Sequence, residues 1–203
     1  MMRILYPILT LLLAIFLAAC SDDEERPVFG SGAWEFRSLG PFGEDPCTTP
    51  GPIVLSGEHG EDRNGKVFIA RCRGTERSDG DLGLHLQLDD QDGSRIELRL
   101  ILPSDELPEE GEASITPISC PSGFSFEARN QLYEAACLVD PDDLDGSGGE
   151  CIINDVVVNR DTASISIRFR CDAVGDFGSA SVCNIVGTGS GDAVLSFDSC
   201  EGL

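Results

Sequence analysis

The feature that most constrains the fold is a strict alternation of apolar and polar side chains in the middle of the chain. Over residues 82–88 four leucines alternate with glycine, histidine and glutamine, and over 96–102 the alternation returns with isoleucine and leucine. Between the two runs the turn cluster of 89–93 ends in Asp92-Gly93, a pair that tolerates the positive φ of a tight turn. A period of two residues with one polar face is typical of antiparallel strands that cover a core from one side. The sequence therefore predicts a β-hairpin here.

Short apolar runs separated by turn residues continue on both sides of this hairpin. The further strands that this pattern predicts include a first strand from Trp34, a strand over 66–72, and strands over 113–118 and at Phe124 and Phe126. They also include a second hairpin of 152–158 and 164–171, and a last pair of 182–186 and 193–197 joined across 187–192. The only stretch of good helix formers is 127–136, which allows one short helix. We therefore expect an all-β fold, an antiparallel β-sandwich or barrel of about ten short strands, with at most one short helix in the mature chain.

Nine cysteines are the second constraint on the fold. One of them, Cys20, ends an apolar leader, and the even number that remains favours disulfides in an exported chain. No Cys-x₂-Cys or Cys-x₄-Cys pair occurs, so the spacing argues against a zinc–thiolate site. The candidates for a set of four disulfides are Cys47, Cys72, Cys120, Cys137, Cys151, Cys171, Cys183 and Cys200.

Sequence spacing favours disulfides between neighbouring cysteines, although eight cysteines allow 105 connectivities. Three local pairs would each close a loop of about 15–20 residues and stabilise the fold by about 3 kcal/mol. Folding the second hairpin about Asp161 places Cys151 opposite Cys171, whereas a four-residue turn would shift that register by one. The expected pairs are Cys120–Cys137, Cys151–Cys171, Cys183–Cys200 and, by elimination, Cys47–Cys72.

The beginning of the chain has the parts of a secretory signal. Arg3 precedes an apolar run over 4–16, and small residues lead directly into Cys20. The ending Leu17-Ala18-Ala19-Cys20 resembles the lipobox of bacterial lipoproteins. The resemblance implies cleavage before Cys20, diacylation of its sulfur and, as a rule, acylation of the new amine. The competing interpretation is an uncleaved membrane helix, but the run is shorter than the ~20 residues that a spanning helix needs, and it contains Pro7.

These features divide the chain into a signal peptide over 1–19, a lipidated cysteine with an acidic tether over 20–33, and a single all-β domain over 34–203. The resemblance implies that the protein is attached to a membrane through its lipid anchor and lies in the bacterial cell envelope. By the same resemblance, Ser21 directly after the cysteine favours the outer membrane. The sequence does not distinguish between attachment at the periplasmic face and at the surface face of that membrane.

The charge of the chain is lopsided, with 36 acidic against 14 basic residues and a net charge of −22. Nucleic-acid binding needs a basic footprint, so this class of partner is excluded. Adsorption to anionic lipid headgroups is disfavoured for the same reason. Such acidity usually keeps a surface soluble through self-repulsion, and less often it collects divalent cations. No residue pattern identifies a protein or glycan partner.

The acidic loop over 138–150 is the one candidate for a metal site. Calcium prefers several oxygen ligands and a glycine that permits a sharp turn. The loop matches the third, fifth and sixth places of an EF-hand, but Pro141 and Ile152 occupy the first and twelfth. A calcium site of another type stays open beside the interpretation of a solvated loop, and calcium is the only cofactor that the sequence suggests. The oxygen ligands of that site would be Asp142, Asp143, Asp145 and Glu150.

Catalytic signatures are scarce in this chain. His85 lies on the polar face of its predicted strand and His59 lies in a polar loop, so we expect both to be solvated. No Gly-x-Ser-x-Gly elbow, His-Glu-x-x-His motif or phosphate-binding loop occurs, and we assign no catalytic residue. The favoured interpretation is a membrane-anchored binding or structural β module whose ligand is unknown. The alternative is a secreted carbohydrate-active or other hydrolytic enzyme, which would need two carboxylates about 5–10 Å apart in a cleft with aromatic walls.

Overall fold

The computed structural model describes residues 26–38, 52–128, 131–140, 142, 149–176, 182–187 and 191–203. Within these ranges the chain forms β-strands and no α-helix, so none of the described residues belongs to a helix that could cross a membrane. The strands are β1 Phe29–Ser38, β2 Ile53–Glu58, β3 Asp62–Arg63, β4 Lys66–Val67, β5 Ile69–Glu76, β6 Leu82–Asp89, β7 Ser94–Leu102, β8 Glu112–Ile115, β9 Phe124–Ala128, β10 Gln131–Leu138, β11 Glu150–Asn159, β12 Ser164–Asp176, β13 Val182–Val186 and β14 Ala193–Asp198.

Twelve of these strands form one sheet that curls into a nearly closed barrel. The order along the sheet is β13-β1-β14-β12-β11-β10-β9-β7-β6-β5, with β2 paired to β1 and β8 paired to β11, while β3 and β4 form a separate ribbon. The curvature brings β5 back into contact with β1, β2 and β14. The all-β prediction is confirmed. One pairing departs from the antiparallel pattern, because β10 and β11 run parallel over a short stretch.

We call the line where β5 meets the first and last strands the seam. At one end of the seam the β3–β4 ribbon joins β2 to β5, and it continues through Phe68, which accepts a hydrogen bond from Gly60 N at 2.9 Å and donates one to Glu61 O at 2.8 Å. At a second point Glu201 N donates to Cys72 O at 3.0 Å, and Glu201 O accepts from Gly74 N at 2.6 Å. These backbone hydrogen bonds replace the continuous ladder that would join two neighbouring strands of a fully closed barrel.

The barrel interior is filled by large apolar side chains in one contiguous core. Gly30 and Gly32 face this core from β1, and a Cβ at Gly30 would lie 2.4 Å from Leu88 Cδ2 on the facing wall. The two glycines therefore make room for the side chain of Leu88 against β1. Residues 29–33 belong to β1, so the tether that the sequence predicts over 20–33 extends too far toward the barrel. The largest fully buried rings are Trp34, Phe68, Phe124, Phe126, Phe169 and Phe197.

The two predicted hairpins form, whereas the one short helix that the sequence allows does not. Strands β6 and β7 pair with Leu86 opposite Leu98, and β11 and β12 pair along their length. The stretch 127–136 is not helical, because it forms the β9–β10 hairpin with Gln131 opposite Ala128. Its apolar side chains alternate between the core and solvent, and this packing outweighs a weak helix propensity.

The last predicted strand pair is also wrong, because β13 and β14 do not pair with each other. Both run antiparallel to β1 and to β12, and they lie end to end between these two strands. Gly187 N donates a hydrogen bond to Gly191 O at 2.7 Å, across the segment that connects β13 to β14. A two-residue alternation reports which face is buried, but it cannot distinguish a hairpin from one interrupted strand.

Three disulfides join described cysteines. Cys120–Cys137 and Cys151–Cys171 form as predicted, and the second pair lies in register across β11 and β12. The third joins Cys72 to Cys200, 128 residues apart, so the predicted pairs Cys183–Cys200 and Cys47–Cys72 are both wrong. The spacing argument fails there because closure of the barrel brings β5 beside the end of β14. Cys47 and the side chain of Cys183 lie outside the described residues.

Candidate functional site

A continuous groove follows the seam on the outside of the barrel. Its wider part, about 1050 Å³, lies between the residues that lead into β1 and those that follow β14. Its narrower part, about 440 Å³, runs along β5. Val28, His59 and Glu201 line both parts, so the two form one surface, which we call the seam groove.

Strand register positions the polar side chains of the narrower part. Arg71 and Arg73 lie on the outer face of β5, since the residues between and beside them face the core. Arg73 is opposite His85 on β6. The turn after β2 adds His59, so both histidines of the chain line the same part of the groove. The sequence predicts each of them as a separate solvated residue and does not bring them together.

His85 is held by a carboxylate on the next strand. Its Nε2 lies 3.0 Å from Glu97 Oε1, and only 26% of its side chain is exposed. Burial is the largest cause that lowers the pKa of His85, and the charges of Arg99 and Arg71 lower it further, against the opposing effect of Glu97. His85 is therefore neutral at pH 7 and donates its Nε2 proton to the carboxylate. His85 lies on the outer face beside its cross-strand neighbours, as the alternation predicts, but it is partly buried rather than solvated.

Glu97 is the acceptor for several neighbours at once. Besides His85, Arg95 hydrogen-bonds to Glu97, and Arg99 Nη2 lies 3.4 Å from its Oε1. Burial raises the pKa of this carboxyl, but the hydrogen bonds from Arg95 and His85 outweigh it, so the pKa is lowered overall. Glu97 is ionised at pH 7, and its charge is shared among three partners.

The two arginines of β5 are less well paired. Arg73 Nε lies 3.6 Å from Glu201 Oε2, with about two thirds of each side chain exposed. Exposed pairs of this kind contribute about 0–1 kcal/mol. Among the residues that the structure describes, no carboxylate lies within ion-pair distance of Arg71. The narrower part of the groove therefore presents positive charge on a strongly acidic protein.

The wider part of the groove is acidic. Asp161 and Asp198 line it together with Glu201, and Asp161 Oδ1 accepts a hydrogen bond from Gly111 N at 3.0 Å. Among the described residues that line the two parts of the groove there is no phenylalanine, tyrosine or tryptophan. Trp34 is fully buried in the core, as it packs against other rings there. The described lining of the seam groove thus has carboxylates, but none of its residues supplies the aromatic wall that is typical of a sugar-cleaving site.

The calcium candidates are only partly described. Asp142 is exposed, and its backbone N–H donates to Asp140 Oδ1 at 2.9 Å, which is a local turn contact. Glu150 begins β11, while Asp143 and Asp145 lie outside the described residues. Within the described ranges, no group of three or more histidine, cysteine, aspartate or glutamate residues could hold a metal ion.

Part of this site has a signal in the sequence. Folding the first hairpin about its Asp-Gly turn places His85 opposite Arg99, with Glu97 one row away. The sequence has no signal that His59 lies in the same groove as His85, because this arrangement depends on closure of the seam. Cys20 also lies outside the described residues. Comparison of the chain with protein-family models, with curated proteins and with solved structures gives no match.

Proposed function

We propose that this chain is a lipid-anchored protein of the bacterial cell envelope, and that its barrel is a binding module with the seam groove as its binding surface. The observation that carries the binding role is the seam groove itself. It gathers Arg71, Arg73 and both histidines on one strip of a chain whose net charge is −22. The core fills the barrel interior, so a ligand would bind on the outer surface. Clefts with convergent polar groups are the usual binding sites there.

The position of the groove fits attachment near a membrane. Arg26, the first described residue, lines the wider part of the groove. The proposed lipidated residue, Cys20, precedes it by a segment that spans at most roughly 20 Å when fully extended. Two or more acyl chains give stable membrane attachment. The seam groove would therefore stay close to the surface of the bilayer, where a ligand of the envelope is within reach.

The anchor is tested by replacing the cysteine that the lipobox resemblance singles out. Cys20→Ser should remove acyl labelling and move the protein from the membrane fraction to the soluble fraction. Cys20 is the only residue in this scheme that can carry the acyl chains. Membrane fractionation and metabolic labelling with a fatty acid measure the outcome.

Glu24→Gln is the matched control, because it changes a nearby residue of the tether but keeps the thiol. This control should label and fractionate like the wild type. If Cys20→Ser stays in the membrane fraction and the wild type carries no label, the anchor is excluded.

A further inference from the structure

The outer face of three neighbouring strands carries an excess of positive charge. On β5, β6 and β7 the side chains that alternate outward in register include four arginines and two acidic residues, and Glu76 is also exposed at the end of β5. In the whole chain acidic residues outnumber basic ones by 36 to 14. Such a local reversal of charge attracts anions to this face. The charged residues are Arg71, Arg73, Asp89, Arg95, Glu97 and Arg99.

One of the two carboxylates on this face is already engaged by several neighbours. Glu97 contacts Arg95, Arg99 and His85, so it has little capacity left for the arginines of β5. The carboxylate that approaches Arg73 is Glu201, at 3.6 Å and with both side chains mostly exposed. Arg71 and Arg73 thus remain available at the narrower part of the groove.

We propose that the narrower part of the seam groove binds an oxyanion group, a phosphate or a carboxylate, between the guanidinium groups of Arg71 and Arg73. A guanidinium presents a planar fork of N–H donors that matches either group, and two of them on one strand face can contact both sides of it. The volume of about 440 Å³ accommodates such a group together with part of the molecule that carries it. This inference rests on the binding role proposed for the groove, and it names the chemistry of the ligand.

The test measures binding of two small probes to the full-length chain in a non-ionic detergent. Inorganic phosphate and succinate are titrated at constant ionic strength, so that general screening does not change. The variant Arg71→Gln/Arg73→Gln should raise the dissociation constant of the bound probe about tenfold or more, because each charge-assisted hydrogen bond is strong. Isothermal titration calorimetry gives the constants, and an unchanged melting temperature shows that the variant is folded.

A matched control removes the same charge elsewhere. Arg37 and Arg168 are exposed on β1 and β12, and neither lines the groove. Arg37→Gln/Arg168→Gln should leave the dissociation constant within about twofold of the wild type, as expected for exposed charges at a distance. An equal loss in both double variants would mean that only the net charge matters, and it would overturn the site.

The two probes identify the source of the oxyanion. Binding of phosphate but not succinate assigns a phosphorylated ligand, and the reverse result assigns a carboxylated one. If the folded wild type binds neither probe, the inference is wrong. Titration of the Cys20→Ser variant separates probe binding from membrane anchoring. If this variant still binds the probe, the binding site is supported whether the variant lies in the membrane fraction or in the soluble fraction. An anchored wild type that binds no probe contradicts the oxyanion site alone.

Discussion

At the scale of single residues, the seam depends on positions where the backbone leaves no room for a side chain. Gly74 of β5 donates its N–H to Glu201 O, and a Cβ at this position would lie 2.6 Å from the carbonyl oxygen of Gly202. That neighbour is backbone, so it cannot turn aside as a long side chain would. Gly83, on the next strand, has room for a Cβ, because the nearest atom would be Thr75 O at 3.5 Å.

We therefore expect Gly74→Ala to lower the free energy of unfolding by about 1–3 kcal/mol, the usual cost of overpacking. Gly83→Ala is the control, and we expect it to be neutral or slightly stabilising, because alanine loses less backbone freedom than glycine on folding. Urea unfolding followed by circular dichroism measures both variants. Equal stabilities for the two would contradict the close approach of the backbone at the seam.

At the scale of secondary structure, the strands that could be predicted are those whose local signals agree. The β6–β7 hairpin combines strict alternation with an Asp-Gly turn, and both signals specify one register. Residues 127–136 carry helix formers, yet the β9–β10 hairpin forms because β7 offers β9 a partner strand. The in-line arrangement of β13 and β14 depends on β1 and β12, which are distant in sequence. Local patterns do not contain that information.

The third disulfide is also set by contacts between distant strands. Cys72–Cys200 joins β5 to the residues after β14, over a separation of 128 residues, whereas Cys120–Cys137 spans 17. Loop-closure entropy predicts a loss of about 4–5 kcal/mol when the long link is removed, and about 3 kcal/mol for the short one. We expect Cys72→Ser/Cys200→Ser to be the less stable double variant in urea unfolding.

Peptide mapping under non-reducing conditions provides the check on connectivity. A fragment in which Cys200 is joined to Cys183 would contradict this arrangement of the seam. Cys120→Ser/Cys137→Ser serves as the control for loss of any one disulfide. Equal destabilisation of the two double variants would show that the long link does not constrain the unfolded chain more than the short one.

At the scale of the whole molecule, the candidate site is a product of barrel closure. His59 and His85 lie in separate parts of the chain and meet only where β5 returns to the first strands. The composition predicts an acidic, self-repelling surface, but the sequence does not show that β5 and β7 concentrate arginines on one outer face. Parts of the site could therefore be predicted from the sequence, such as the pairing of His85 with Arg99 across the β6–β7 hairpin. The way in which these parts come together at the seam could not be predicted.

The net charge of −22 has its own consequence for stability. We expect millimolar calcium chloride and sodium chloride of equal ionic strength to raise the melting temperature by equal amounts, because both screen the repulsion between acidic side chains. Thermal unfolding in the two salts measures this. A larger gain in calcium that disappears in Asp143→Asn/Asp145→Asn would contradict it and would establish a calcium site, since an ion bound only by the folded state adds stability.

Closure of the seam through Glu201 also determines when the contacts of β5 can form during synthesis of the chain. The ribosome makes β1 to β14 before it makes residue 201, so neither the backbone hydrogen bonds to β5 nor the link to Cys200 can form until every strand has been synthesised. Contacts between such distant residues form slowly. β5 therefore keeps an open edge until the segment that contains Glu201 has been added, and an unpaired edge of this kind is a site of aggregation.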